Sequence, residues 1–208
     1  MSGTYTSGET YRKWKLSKAV ASVTAFNHEG THMKQERLKL YLVDIKYIRD
    51  LSHADNRVMS VSPQIGKSTR PFIGIIVVCN DKKYCVPFSS PKPKHQTMKN
   101  DKDFTKIYDS ENKLIAVLNF NEMIPVDERV IQPFDMRPHT NDNENTRYYK
   151  RLTAKQLEFC RKNQDAIVSK ANKLYQAVYM EGTSKNLINR CCDFKKLELV
   201  LEKFLSKI

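Results

Sequence analysis

The hydrophobic pattern of the chain changes character twice. Residues 1–32 are rich in Ser, Thr and Gly and show only weak periodicity, whereas a patterned sequence begins at Met33. In "LKLYLVDI" (38–45), Leu38, Leu40 and Leu42 alternate onto one face, which predicts a strand. "FIGIIVVC" (72–79) is a continuous apolar run of buried-strand length, and Asn80-Asp81 turns it into "KKYCVPF" (82–88), a hairpin. "FTKIY" (104–108) and "KLIAVLNF" (113–120) flank Asp109-Ser110-Glu111-Asn112 and predict a second hairpin.

Over the last 60 or so residues the spacing becomes helical. Thr153 with Gln156 three residues on has the form of a capping box and predicts a helix start. Ile167, Ala171, Leu174, Tyr175 and Val178 then share one face, with Gly182 as the stop. Asp193 is placed to cap a final helix whose stripe is Phe194, Leu197, Val200, Leu201, Phe204 and Ile208. Strands first and helices last predict an α+β fold on a mainly antiparallel sheet. Residues 33–208 are expected to form one domain, and 1–32 a leader or vector-derived extension. Trp14, the only tryptophan, lies in that extension.

Charge sharpens the picture. The chain carries 36 Lys and Arg against 23 Asp and Glu, a formal +13, so polyanions become the leading class of partner. The charge is uneven: residues 82–113 and 147–208 are basic, while 114–146 are acidic. Five cysteines, with no Cys-x-x-Cys spacing, argue against a disulfide framework or a zinc site and favour a reducing cytoplasm. "RKWKLSKAVASVTAF" has a basic start, but its apolar part is short and broken by Lys18, unlike a secretory signal.

Among candidate motifs, "GKST" (66–69) resembles a P-loop ending. The required glycine five positions before Gly66 is Val61, however, and a strand rather than a helix follows. The sharper stretch is "CVPFSSPKPKHQTMK" (85–99). Pro91 restricts its own backbone and that of Ser90, holding Ser89, Ser90 and Lys92 in a narrow range of geometries. A hydroxyl beside an ammonium group makes a phosphate clamp, or a serine nucleophile if the amine takes its proton. A solvated proline-rich loop has the same composition. His95 is the one histidine near this cluster. Arg70 offers a planar fork of donors for phosphate, and Tyr47 a ring for a splayed base. "TRYYKRL" (146–152) interleaves Tyr148 and Tyr149 with Lys150 and Arg151, a pattern suited to single-stranded RNA.

Taken in order, "KYIRDL", "RPFIGIIV", "KKYCVPFSSPK", "LIAVLNFNEMIPV" and "YYKRLTAKQLEFCRKNQDAIVSKANKLY" resemble the ToxN/AbiQ family. These are the protein halves of type III toxin–antitoxin and phage abortive-infection systems. The resemblance runs from Met33 almost to the C-terminus. It implies a twisted antiparallel sheet packed by helices, related to the Kid/MazF toxins. It also implies a bacterial cytoplasmic endoribonuclease that needs neither metal nor cofactor. The ribose 2′-hydroxyl would attack the adjacent phosphodiester and leave 2′,3′-cyclic phosphate and 5′-hydroxyl ends. Cellular mRNA would be the substrate. The inhibitor would be a small repeated RNA folded as a pseudoknot, closing with the toxin into a cyclic assembly.

Residue by residue, the family's S-P-K motif falls on Ser90, Pro91 and Lys92, with Ser89 where threonine is frequent. The basic position before F-I-G falls on Arg70, and the tyrosine of the first strand-turn on Tyr47. Ser90, Lys92, Arg70 and Tyr47 are thus the expected catalytic group. Ser89, Lys94, His95, Tyr148, Tyr149, Lys150 and Arg151 are the expected RNA contacts. Where some members carry a tryptophan after S-P-K, this chain has Lys94-His95; where some have a tyrosine before the basic position, it has Gln64, Ile65 and Gly66. A non-catalytic RNA-binding protein is the alternative. A Ser/Lys acyl hydrolase is disfavoured by the lack of a G-x-S-x-G elbow around Ser90.

Overall fold

The computed structural model of the chain describes residues 36–59 and 72–208. The expected extension 1–32, Met33 and Arg70 lie outside the described residues. The central hairpin joins β2 (Ile73–Cys79) to β3 (Lys82–Ser89), in register from Cys79↔Lys82 to Gly74↔Pro87. Asn80 and Asp81 make the turn with φ of +50° and +58°. Both central residues on the left-handed side match the strands' own twist, and Asn and Asp tolerate that conformation best after glycine. The second hairpin, β4 (Phe104–Tyr108) with β5 (Leu114–Asn119), is likewise as expected, with Asn112 at φ +58°.

β1 (Leu40–Val43) lies between β2 and β7 (Ile131–Pro133). The sheet runs β4-β5-β3-β2-β1-β7, every pairing antiparallel, with β6 (Ile124–Pro125) added along β3. β3 is therefore shared. Its middle pairs with β6 through Tyr84↔Pro125 and Cys85↔Ile124, and its last residues pair with β5 through Phe88↔Leu118 and Ser89↔Val117. That division delivers the end of β3 beside the end of β5. Gly74 is needed for close approach within the hairpin, since a Cβ there would lie 2.4 Å from the Val86 carbonyl oxygen and 2.5 Å from Cys85 Sγ.

A helix missing from the expected elements follows β1 directly. In α1 (Ile45–Ala54) the Asp44 carboxylate accepts from the Lys46 and Tyr47 backbone N–H groups at 2.7 and 2.9 Å, an N-cap that ends the strand at Val43. The main C-terminal helix, α3 (Glu144–Lys162), starts nine residues before Thr153, capped by Asn143, whose side chain accepts from Thr146 N at 2.8 Å. The expected capping box is thus corrected. Thr153 sits mid-helix with its hydroxyl bonded to the Tyr149 and Lys150 carbonyls, and Gln156 reaches the Ile115 carbonyl of β5. α4 (Gln164–Val178) ends four residues before Gly182, which makes a later turn at φ +81° on the way to the short α5 (Lys185–Arg190). α6 (Phe194–Leu205) is capped by Asp193 as expected. Its stripe is buried at Phe194 and Leu197, while Ile208 lies past the helix end and is 66% exposed.

α4 packs on β2, and α6 on α1 and β6. The centre of this packing is aromatic: Tyr84, Tyr175 and Phe194 have ring centroids 5.6–5.9 Å apart. Glu198 of α6 accepts from Tyr84 Oη (2.5 Å), Tyr175 Oη (2.9 Å) and Lys82 Nζ (2.6 Å), so the buried polar tips of this cluster are paired. Each fully buried large side chain contributes roughly 1.5–3 kcal/mol. All five cysteines are free and buried. Among the described residues no helix is long and apolar enough to cross a membrane.

Candidate active site

β3 ends at Ser89, which the pairing with Val117 holds half-buried at the sheet surface. Ser90 follows, exposed, and Pro91 carries the chain away from the sheet to the exposed Lys92. Pro93 then starts the short helix α2 (Lys94–Thr97). Two reciprocal bonds close this turn: Lys92 N–H donates to His95 Nδ1 at 3.0 Å, and His95 N–H donates to the Lys92 carbonyl at 2.8 Å. The His95 ring is only 8% exposed and lies 6.0 Å from the Phe104 ring. His95 is therefore corrected from an RNA contact to a clamp on the turn that carries Lys92. Burial, with the charges of Lys94, Lys92 and Lys106, holds its imidazole below the ordinary value. That keeps Nδ1 a hydrogen-bond acceptor near neutrality.

Against Ser89 lies a pair that the sequence reading missed. Asn119, last residue of β5, donates from Nδ2 to Ser89 Oγ at 3.0 Å and to Glu122 Oε2 at 3.3 Å. Glu122 belongs to the 3₁₀ turn Phe120–Glu122 that leads into β6. Burial pushes its carboxyl above the usual range, against the pull of the Asn119 hydrogen bond and the Lys92 and Lys94 charges. Both residues lie in "NFNEMIP" (119–125), so the available signal was the segment itself, which enters the sequence reading as a strand end up to Phe120 and otherwise only as part of the family resemblance. Lys106 of β4 joins the same surroundings, its Nζ bonded to the Met98 carbonyl at 2.7 Å.

The result is a surface of two hydroxyls and several ammonium groups, at the mouth of a turn fixed by two prolines and a histidine. Such a set binds phosphate, and it can stabilise negative charge that grows on phosphoryl oxygens. Among the described residues no group of three or more His, Cys, Asp and Glu is placed to hold a metal ion.

Tyr47 does not belong to this surface. Its side chain is wholly buried, its hydroxyl donates to the Pro125 carbonyl at 2.7 Å, and its ring packs 5.2 Å from Phe204. Burial, then the nearby Cys85, pushes its phenol far above the ordinary value. With no exposed face it neither stacks a base nor exchanges a proton with RNA, which corrects the expected catalytic role.

The "TRYYKRL" residues divide by helical position on α3. Tyr148 is 61% exposed, and Arg151 is exposed. Tyr149 is half-buried, edge-on to Phe134 at 6.1 Å. Lys150 is buried, with Nζ donating to the Arg137 carbonyl at 2.9 Å and to Asp142 Oδ2 at 2.8 Å. This is a correction too: Lys150 ties the loop before α3 to the helix, and its charge is spent there. Tyr148 and Arg151 keep free surface for a ligand.

Comparison with known proteins bears on this geometry. A family model described as toxin ToxN of type III toxin–antitoxin systems matches residues 39–202. An endoribonuclease ToxN of Bacillus thuringiensis subsp. kurstaki is 32% identical over 178 residues, covering 81% of this chain and 85% of the relative. A second endoribonuclease ToxN, from Pectobacterium atrosepticum, is 32% identical over 168 residues, covering 77% and 90%. Among solved structures, one from a study of selective toxin inhibition by a non-coding RNA pseudoknot aligns at a TM-score of 0.67, with 29% identity, over 81% of this chain and 98% of that one. The lactococcal anti-phage endoribonuclease AbiQ shares the fold at a TM-score of 0.67, with 21% identity, over 82% and 99%.

Proposed function

This chain belongs to the ToxN family of type III toxin–antitoxin toxins and is an RNA-cleaving enzyme; we propose that the turn at Ser89, Ser90 and Lys92 is where it cuts. In the reaction we infer, the 2′-oxygen of a ribose bonds to the adjacent phosphorus and gives up its proton. The bond from phosphorus to the 5′-oxygen breaks, and the departing oxygen takes a proton. The products are a 2′,3′-cyclic phosphate and a 5′-hydroxyl.

The observation that carries this reading is the clamped turn, with two hydroxyls and Lys92 following directly from the end of β3. Negative charge accumulates on the non-bridging oxygens in the transition state. Groups already in place to meet it pay no reorganisation at that moment. Ser89 and Ser90 donate hydrogen bonds, and Lys92 supplies a positive charge. Arg70 is assigned a matching role from its position in the sequence alone. The ammonium and hydroxyl groups supply the charge stabilisation that a metal ion gives in other phosphoryl-transfer sites, so the reaction proceeds without one.

The formal +13 charge of the chain suits a polyanionic inhibitor as well as a substrate. Extending to this chain what is described for the relative inhibited by an RNA pseudoknot, we infer neutralisation by a small repeated RNA. That RNA covers the Ser89–Lys92 surface and closes with the protein into a cyclic complex. The setting is a bacterial cytoplasm, in phage abortive infection or plasmid maintenance.

The test is cleavage of a mixed-sequence RNA by purified protein in excess EDTA, with product ends mapped. Cyclic-phosphate ends support the proposal. Cleavage that requires added metal, or that leaves 3′-hydroxyl ends, overturns it.

A further inference from the structure

The orientation of the Asn119 amide determines what Ser89 can do. The Asn119 amide presents its NH₂ end to Glu122 Oε2 at 3.3 Å, the arrangement that a carboxylate, which in its ionised form only accepts hydrogen bonds, calls for. The second proton on the same nitrogen goes to Ser89 Oγ at 3.0 Å. Asn119 is 9% exposed, so water competes little for either bond. The Ser89 hydroxyl has one proton. With its oxygen already accepting from below, that proton turns toward the open side of the turn. An acceptor without protons of its own, such as a phosphoryl oxygen, is the complementary ligand.

We propose that Asn119 and Glu122 are positioning residues of the RNA-cleaving site: Glu122 fixes the Asn119 amide, and the amide aims the Ser89 hydroxyl as a donor to a non-bridging oxygen of the scissile phosphate. The inference rests on the cleavage site proposed above and deepens it. Among the described residues Glu122 is the one carboxylate hydrogen-bonded into this network, and Lys92 and Lys94 are near enough to act on its charge. Neither Asn119 nor Glu122 touches RNA in this scheme. Both act through Ser89.

The experiment is a double-mutant cycle on single-turnover cleavage, with melting temperatures recorded alongside. Ser89→Ala is expected to slow cleavage by about 10²-fold, as for loss of one preorganised donor. Asn119→Ala is expected to slow it roughly tenfold, the equivalent of one neutral hydrogen bond, with KM little changed. In the Ser89→Ala background, Asn119→Ala should cost nothing further, because the group it aims is gone. Glu122→Gln, which lets the amide face either way, should give a smaller loss that also vanishes in the Ser89→Ala background. Losses that multiply in the double variants, or Asn119→Ala and Glu122→Gln both cleaving at the wild-type rate, overturn the inference while leaving the site intact. Ser89→Ala and Ser90→Ala both cleaving at the wild-type rate overturns the site itself, and the inference with it.

Discussion

Replacing His95 by alanine tests whether the turn acts as a rigid platform. The substitution removes the ring nitrogen that accepts from Lys92 N–H at 3.0 Å and the packing of an imidazole that is 8% exposed. Lys92 is itself exposed, so water takes over its freed N–H, and the lost bond is worth about 1 kcal/mol. For a chain of this size that lowers the melting temperature by only about 2–4 °C. The effect on cleavage is expected to be larger. A displacement of about 1 Å in a group that must meet the transition state can cost about 100-fold in rate, so kcat should fall tenfold or more. His95→Asn, whose side-chain oxygen stands close to where Nδ1 was, should restore most of it.

The same bond sets a pH dependence. The His95 pKa is depressed by burial and by Lys94, Lys92 and Lys106, so folding favours the neutral ring. Its contribution is therefore complete above the ordinary value near 6.5 and is lost as pH falls through the depressed one. Protonation at Nδ1 turns the acceptor into a donor facing another donor. Cleavage by wild type should decline on that acid side, and His95→Asn should lack this part of the decline. Wild-type kcat and an unchanged acid profile in His95→Ala would refute the clamp.

Other substitutions separate structural from chemical roles. Tyr47→Phe should cost about 1 kcal/mol in chemical denaturation through its lost bond to Pro125, with cleavage unchanged; a large drop in kcat at full stability would return Tyr47 to the site. Lys150→Ala should lower the melting temperature by taking the ammonium away from Asp142 and the Arg137 carbonyl, leaving Asp142 only its bond from the His139 N–H, whereas Tyr148→Ala with Arg151→Ala should weaken RNA binding and flatten its salt dependence without altering the fold. Gly74→Ala should destabilise by about 1–3 kcal/mol or more, because the added carbon meets the Val86 carbonyl at 2.4 Å; an unchanged unfolding midpoint would contradict the packing described for that hairpin.

Much of this could be read from local chemistry. The two hairpins announced themselves because Asn80, Asp81 and Asn112 are residues that tolerate positive φ. The stripe in the last helix placed Phe194 and Leu197 inward. What failed was whatever depended on neighbours far along the chain or on motifs that occur more than once. Lys150 looks like a free cation until the loop brings Asp142 and the Arg137 carbonyl onto it. Thr153 and Gln156 have capping-box spacing, yet an earlier cap at Asn143 wins, and the threonine bonds back along its own helix. Tyr47 was misplaced although Asp44 and the inward spacing of Tyr47, Ile48 and Leu51 did announce a helix. Asn119, with Glu122 bonded behind it, reaches Ser89 only because β3 pairs with β5, a contact between residues 30 apart that no local pattern reveals.

The central claim is that the Ser89–Lys92 turn performs the cleavage, and the most direct measurement is single-turnover cleavage of one RNA by wild type, Ser90→Ala and Lys92→Ala. Melting temperature and RNA affinity are measured on the same samples. Each variant is expected to fold and bind RNA as wild type does, within a few-fold, and to cleave about 10²-fold or more slowly. Cleavage at the wild-type rate by both variants would place the chemistry elsewhere in the molecule.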